Sequence, residues 1–350
     1  MALAQLLLES EHDEVKYFGT SRGPEADLVT RAGIPFVALP ARGFVRNKPW
    51  TLISAMLVLT ASAVRALSMM LRQRPDVVVV FGGYVCIPVG IAAILARVPL
   101  IIHEQNSVAG LANRILGRWA HLVALTYPES AVGFGGAKKV VVTGNPVRPA
   151  VRDADPVAGR RAFGIPPDAL VLLVFGGSRG ARRINQTLVD AHTKLLEIED
   201  LHIVHIAGRH EYPCVLAAIA GAGSVPERYH LLEYIDDMGG ALAAADLVVA
   251  RAGATSIAEI SVLQKPAVYV PYPHATDDHQ TKNAASLAQA GAAVVISDDR
   301  LSAPVFIETV TALLLDRAQR DNIAAALSGL AIHDAAERLA ELTRHVHLDR

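Results

Sequence analysis

The chain of 350 residues is longer than a single hydrophobic core usually carries, and 52% hydrophobic with 19% charged residues is globular composition, so two domains are expected. A net charge of −1 excludes a uniformly basic or acidic protein, and two cysteines, Cys86 and Cys214, exclude a disulfide framework or a cysteine zinc site. The charge is uneven along the chain. Residues 1–150 carry 15 Lys and Arg against 9 Asp and Glu, and the remainder 18 against 25. Residues 28–75 contain Arg31, Arg42, Arg46, Lys48, Arg65, Arg72 and Arg74 and no acid. Such a stretch suits an anionic partner, or is a solvated basic surface.

Residues 1–9 have helical composition, and the first strand-like run is 15–18, followed by a turn over 19–23. Because α/β domains commonly open on a strand, an initial strand and loop are expected to be missing. A helix over 25–32 precedes a strand over 36–39. Residues 50–71 raise the question of a membrane span, but Arg65 interrupts them and Ser and Thr recur, so they read as a helix of a soluble domain. It ends at Arg72-Gln73-Arg74-Pro75. No secretory signal or lipidation motif stands out, and membrane contact is expected to be peripheral. Strands over 76–81, 99–103, 121–125 and 139–143 alternate with helices over 88–96 and 108–118. Residues 145–149 and the polar 152–161 read as an interdomain linker. Strands over 170–175, 202–206, 229–232, 246–249, 267–270 and 293–296 follow, again separated by helices. The fold class is α/β, with two doubly wound parallel sheets.

Two strands end alike, in Val80-Phe81-Gly82-Gly83 and Val174-Phe175-Gly176-Gly177. A buried strand opening through glycines toward a helix N-terminus offers unpaired N–H groups and the positive end of a dipole to a phosphate or another anion. Gly176-Gly177-Ser178-Arg179-Gly180 has neither the Gly-Lys-Ser/Thr of a P-loop nor G-x-G-x-x-G spacing, so the readings are phosphate binding or a tight structural turn. Farther on, Arg251-Ala252-Gly253-Ala254-Thr255-Ser256-Ile257-Ala258-Glu259 follows a strand. Thr255 or Ser256 would cap a helix carrying Glu259 on its first turn. Glu259 would either complete that cap or accept two ribose hydroxyls of a nucleotide. No cluster has metal-ligand spacing, so no metal or cofactor is expected.

Phe81-Gly82-Gly83-Tyr84-Val85, His103-Glu104-Gln105-Asn106 with Ala109-Gly110-Leu111, and Gly144-Asn145-Pro146-Val147-Arg148 occur in that order. Residues 176–182, Tyr234-Ile235-Asp236-Asp237-Met238, residues 251–259 and Asp278-His279-Gln280-Thr281-Lys282-Asn283-Ala284 continue the series. Together these motifs resemble the MurG family of peptidoglycan glycosyltransferases over essentially the whole chain. The resemblance implies a GT-B fold, two Rossmann-like domains facing across a cleft. Residues 1–148 with 331–350 would bind the acceptor and meet the membrane, and residues 149–330 would bind UDP-GlcNAc. A last helix over 334–346 would return to the first domain. The implied reaction moves N-acetylglucosamine, with inversion, from UDP-GlcNAc to the 4-hydroxyl of undecaprenyl-pyrophosphoryl-MurNAc-pentapeptide (lipid I), at the cytoplasmic face of a bacterial membrane. The implied partners are these two substrates and an anionic membrane surface, with no nucleic acid.

Carried over by position, the Ile235 backbone would read uracil and Glu259 would take the ribose. Ser178, Ala254, Thr255, Ser256, Ile257 and Ala258 would hold the pyrophosphate. Gln280 and Asn106 resemble sugar-contacting residues, and Arg148 a donor-site arginine at the domain hinge. Gly82, Gly83 and Tyr84 fall on the acceptor side. The family's usual base histidine lies in a glycine-rich loop after a first strand that is not found here. His103, with Glu104 beside it, remains as the base or as a residue that holds its loop by hydrogen bonds. Cys86 and Ile87 replace residues that are often Ser and Gly, and the aromatic residues usual around 58–67 are small or aliphatic here. Trp50, Leu52, Leu59, Arg114, Arg118 and Trp119 would form a mixed membrane patch. Two other readings remain, a UDP-GlcNAc 2-epimerase of the same fold, and a donor-binding protein impaired in catalysis by the missing loop.

Overall fold

The computed structural model describes residues 1–20, 24–40, 50–177, 181–221 and 225–346. They form two compact units, Met1–Arg148 with Asp334–Arg350, and Pro149–His333.

In the first unit, α1 (Ala2–Leu8) precedes β1 (Tyr17–Gly19), α2 (Pro24–Arg31) and β2 (Phe36–Ala38). Next come α3 (Trp50–Gln73), β3 (Val78–Val80), α4 (Cys86–Leu95), β4 (Leu100–Glu104), α5 (Leu111–Leu116), β5 (Leu122–Leu125) and β6 (Val140–Val142). All ladders are parallel. β1 pairs β2, and a second sheet runs β3-β4-β5-β6. Every residue of β4 is buried, as a parallel strand covered on both faces requires. Side chains alternate along it. Leu100 and Ile102 enter one core with Val80, Val89, Ala92 and Leu116, which Phe18 and Val37 from the two-stranded sheet and Leu39 just after it also join. Ile101 enters the other with Leu122, Ala124, Leu3, Leu7 and Leu339. The same alternation sends His103 toward α1 and Glu104 toward α5.

The Ser54–Gln73 stretch of α3 has a mean hydropathy of 1.6 and is long and apolar enough to cross a membrane by length and composition, with 22% of it buried. Ala55, Ser62, Ala66 and Met70, at helical spacing, are its buried row. The Ser62 hydroxyl donates to the Pro40 carbonyl at 2.6 Å.

The second unit begins with α6 (Pro149–Arg152) and α7 (Pro156–Ala162). It continues through β7 (Leu170–Phe175), α8 (Arg182–Leu195), β8 (Leu201–Ile206), α9 (Tyr212–Gly221), β9 (Tyr229–Leu232), α10 (Met238–Ala244) and β10 (Leu247–Ala250). Then follow α11 (Ala254–Val262), β11 (Ala267–Tyr269), α12 (His279–Gln289), β12 (Val294–Val295), α13 (Ala303–Leu315) and α14 (Arg317–Leu330). The parallel sheet has the order β12-β11-β10-β7-β8-β9, the doubly wound arrangement the alternating pattern predicts.

Residues 152–161, expected as linker, are largely helical instead. Asp155 caps α7 by accepting from the Val157 and Ala158 amides. Gly159 is buried with no room for a Cβ against the Gly240 carbonyl, so this glycine lets α7 and α10 approach at backbone distance. Polar composition concealed this contact. The chain returns to the first unit through α15 (Ala335–His345), where Leu339 and Ala340 pack with Leu3 and Leu7 of α1.

Candidate active site

β7 and β10 are neighbours in the second sheet although two strands separate them in sequence, and successive connections wind away on either side. Phe175 lies opposite Ala250, so both strands finish at one level. Beyond them run Gly176-Gly177, with Gly177 at φ 86°, and Arg251-Ala252-Gly253. Such a switch point at the carboxyl ends of parallel strands is where open α/β sheets bind ligands.

Gly253, extended at φ −69° and ψ 142°, is the N-cap of α11 and supplies no side-chain cap. Its first turn therefore has the features that favour an anion, backbone N–H groups and the positive dipole end. Ala254 and Ile257 are buried, Ser256 and Ala258 half-buried, and Thr255 exposed. The expected capping box is corrected here: Thr255 and Ser256 lie inside the helix, and Glu259 lies beyond its first turn, out of reach of a cap. The Glu259 side chain is instead buried, 8% exposed. Ser178 falls outside the described residues.

Ile235 is half-buried in the connection from β9 to α10, where Asp237 accepts from the Gly240 amide at 2.9 Å. Beside it the Arg209 guanidinium stacks on the Tyr234 ring, 4.8 Å from its centroid. Gln280 opens α12, and its side-chain carbonyl accepts from the Tyr272 amide at 2.9 Å. Just before it, Asp277 and Asp278 both have positive φ, 53° and 55°. Two successive non-glycine residues in the left-handed region store strain of the kind that collects at ligand clamps.

Sequence reasoning missed the buried polar chain behind α8. Asn185 Nδ2 donates to the Ala207 carbonyl at 2.9 Å, which fixes its amide orientation. Asn185 Oδ1 then accepts from His205 Nε2 at 3.0 Å, and His205 Nδ1 accepts from the Tyr229 hydroxyl at 2.7 Å. Burial lowers His205 to about 3 and pushes the Tyr229 hydroxyl up, so every proton in this chain stays in place at neutral pH. The available signal was three polar residues at positions whose periodicity reads as core.

In the first unit, Glu104 ends β4 with 2% exposure. Its Oε1 accepts from the Asn106 amide at 3.0 Å and Asn106 Nδ2 at 3.3 Å, and its Oε2 from the Gly110 amide at 2.9 Å and Asn113 Nδ2 at 2.8 Å. The donor end of Asn113 is thereby fixed, and its Oδ1, buried, has no partner among the described residues. Gly82 faces Asn113, and a Cβ there would make ordinary contact with Asn113 Nδ2 at 3.5 Å. Gly82 and Gly83, at φ 94° and 86°, make the turn after β3, and the Cys86 thiol, raised to about 11 by burial, stays protonated and donates to the Gly82 carbonyl. Tyr84, next in the chain, is 57% exposed. Arg148 is half-buried at the end of the unit.

His103 is fully buried, with Nε2 donating to the Gly144 carbonyl at 2.9 Å and its ring 5.2 Å from that of Phe81. Burial lowers it to about 4, against the raising effect of the carbonyl. Of the two readings of His103, base or holder of its loop, this geometry fits the second. The imidazole is enclosed and bonded to the backbone, and the carboxylate is saturated by four donors. Both hold loops.

Two parallel-sheet units, one carrying a glycine-flanked switch point, have the architecture of the GT-B class, a fold that does not by itself fix the activity. Residues 1–125 match the glycosyltransferase family 28 N-terminal domain and residues 171–339 the family 28 C-terminal domain. Over 346 residues the chain is 39% identical to UDP-N-acetylglucosamine–N-acetylmuramyl-(pentapeptide) pyrophosphoryl-undecaprenol N-acetylglucosamine transferase of Moorella thermoacetica, covering 98% of this chain and 93% of that protein. The crystal structure of Acinetobacter baumannii MurG matches with a TM-score of 0.75 at 30% identity, covering 98% of this chain and 94% of that one. A putative UDP-N-acetylglucosamine 2-epimerase of Listeria monocytogenes, at 17% identity and a TM-score of 0.74 over 100% and 93% of the two chains, shares the fold alone. The chain belongs to glycosyltransferase family 28 and, within it, to the MurG family of N-acetylglucosaminyltransferases.

Proposed function

We propose that this chain transfers N-acetylglucosamine from UDP-GlcNAc to the 4-hydroxyl of undecaprenyl-pyrophosphoryl-MurNAc-pentapeptide, giving lipid II, in one inverting displacement. The observation that carries the donor half is the alignment of β7 with β10, which puts two glycine connections and the start of α11 at one level. In this reading the Ile235 backbone meets uracil and Glu259 accepts the ribose hydroxyls. The first turn of α11, residues 254–258, and Ser178 face the pyrophosphate, Gln280 lies toward the sugar, and Arg148 adds charge.

As the acceptor oxygen bonds to the anomeric carbon, the bond to the UDP oxygen breaks and its electron pair leaves with the β-phosphate. Helix N–H groups and glycine amides stabilise that developing charge. The hydroxyl proton passes to a base that is neither His103 nor Glu104. Gly82, Gly83 and Tyr84 serve the acceptor, and Asn106, on the frame that Glu104 sets, contacts the sugar.

The acceptor is a membrane lipid, so the reading includes peripheral attachment to an anionic cytoplasmic leaflet. Leu111, Ile115 and Trp119 are exposed at helical spacing along α5 and its extension, interleaved with exposed Arg114 and Arg118. An apolar row flanked by arginines suits the headgroup boundary. Exposed Met56, Leu57, Val64 and Leu71 of α3 add apolar surface in the same unit. Leu59 is half-buried, and Arg42, Arg46, Lys48 and the side chains of Trp50 and Leu52 lie outside what the structure describes.

Incubation with radiolabelled UDP-GlcNAc and lipid I in vesicles tests the proposal, and the label is expected in lipid II. Conversion to UDP-ManNAc without lipid labelling would establish the 2-epimerase reading. Binding of UDP with neither product would leave a donor-binding protein.

A further inference from the structure

Asp298 begins the short turn Asp298–Arg300 after β12, far in sequence from every glycine connection, and its side chain is 14% exposed. Its Oδ1 accepts from Arg251 Nη1 at 2.6 Å, and its Oδ2 lies 3.9 Å from Arg183 Nη1. Arg251 Nη1 also donates to the Val270 and Pro271 carbonyls, both at 3.0 Å. Arg183 Nη2 donates to the Asp299 and Leu301 carbonyls, both at 3.1 Å. One carboxylate thus gathers the first turn of α8, the connection from β10 to α11, the segment leaving β11 and the turn after β12.

These segments leave strands whose own ladders need no such tie, and they meet at the carboxyl end of the sheet. Arg251 immediately precedes Ala252-Gly253, so where its guanidinium is held sets the direction in which the chain enters α11. Tyr272 links the network to Gln280, since its ring lies under the guanidinium at 5.6 Å and its amide donates to the Gln280 side chain. The Arg251 side chain is 11% exposed, and a buried cation that loses its carboxylate partner seeks another arrangement rather than staying in place.

We infer that Asp298 is a positioning residue for the donor site. By holding Arg251, with Arg183 alongside, it fixes the start of α11 and the 271–280 segment in the geometry that a nucleoside diphosphate requires. The inference rests on the donor reading proposed above. Its test pairs hydrogen exchange without ligand with UDP titration and transfer kinetics, on the full chain, for the parent, Asp298→Asn and Asp298→Glu. Asp298→Asn is expected to speed exchange about tenfold at the amides of 252–257 and 272–280 while β7 and β8 amides are unchanged. The UDP Kd and donor KM should rise about tenfold with kcat altered less than about twofold, and Asp298→Glu should recover part of both. Unchanged exchange, faster exchange throughout the sheet, or UDP binding as tight as in the parent would overturn the inference. A parent that binds no UDP, while the exchange response persists, would overturn the donor reading and leave Asp298 as a brace of these loops.

Discussion

Glu104 illustrates how one buried carboxylate in a recognition motif can order the loop around it. Replacing it with Ala strips four donors of their acceptor. Hydrogen bonds to a charged group are worth about 1.5–3 kcal/mol each but do not add, so a loss of about 3 kcal/mol is expected from urea unfolding. Glu259 is the contrasting carboxylate, placed past the first turn of a helix it cannot cap. Glu259→Gln keeps the packing and should raise the donor KM by about tenfold, with little change in kcat, since ribose does not react. An unchanged donor KM in steady-state kinetics would remove Glu259 from the site.

Two buried imidazoles give the fold a pH dependence. His103 and His205 are lowered to about 4 and about 3, below the unfolded value of about 6.5. Between those limits the unfolded chain binds protons that the folded chain excludes. Stability is therefore complete above about pH 6.5 and declines as the pH falls toward the folded values, by about 3–5 kcal/mol per residue. Urea midpoints followed from about pH 7 down to about pH 4 should show this slope, and His205→Gln should flatten it.

At the level of elements, the second unit depends on helices that touch through glycine. A Cβ at Gly239 would sit 2.5 Å from the Ala150 carbonyl, and one at Gly159 would collide with the Gly240 carbonyl. Overpacking of this kind costs about 1–3 kcal/mol. Gly159→Ala is therefore expected to lower the midpoint of thermal unfolding of the ligand-free chain. The start of α11 obeys a different logic. A side-chain cap there would occupy N–H groups that a bound anion needs, so an N-cap glycine is consistent with ligand binding.

At the scale of the whole molecule, the acid-free and apolar surfaces belong to the first unit and the nucleotide features to the second. If the first unit docks on lipid, co-sedimentation with anionic vesicles should weaken with added salt, because screening acts on exposed charges. Arg114→Glu with Arg118→Glu should reduce vesicle binding by roughly tenfold or more, at about 1 kcal/mol per basic residue. Trp119→Ala should weaken it in a salt-independent way, through lost apolar burial. Binding that ignores both changes would place attachment elsewhere.

The sequence by itself determined the strands, because runs such as Leu170–Phe175 and Leu247–Ala250 are apolar throughout, as strands buried on both faces must be. It also determined the glycine connections, since Gly82, Gly83 and Gly177 take positive φ that side chains resist. It placed His103 and Glu104 at a strand end, and alternation alone would have set them on opposite faces. Only the tertiary structure decided what those residues do, because hydrogen-bond saturation depends on partners such as Gly144, Gly110 and Asn113 that local pattern does not reveal. The same holds for the helical nature of 156–162, which rests on a glycine contact with α10, and for the start of α11 at Gly253 rather than at Thr255. The switch point was equally out of reach of pattern. β7 pairs directly with β10, with β8 and β9, which intervene in sequence, on its other side, and Asp298 reaches Arg251 only because β10, β11 and β12 are laid side by side. Local sequence fixes periodicity and turns, whereas the order of strands and the convergence of distant polar groups follow from how the whole sheet buries its faces.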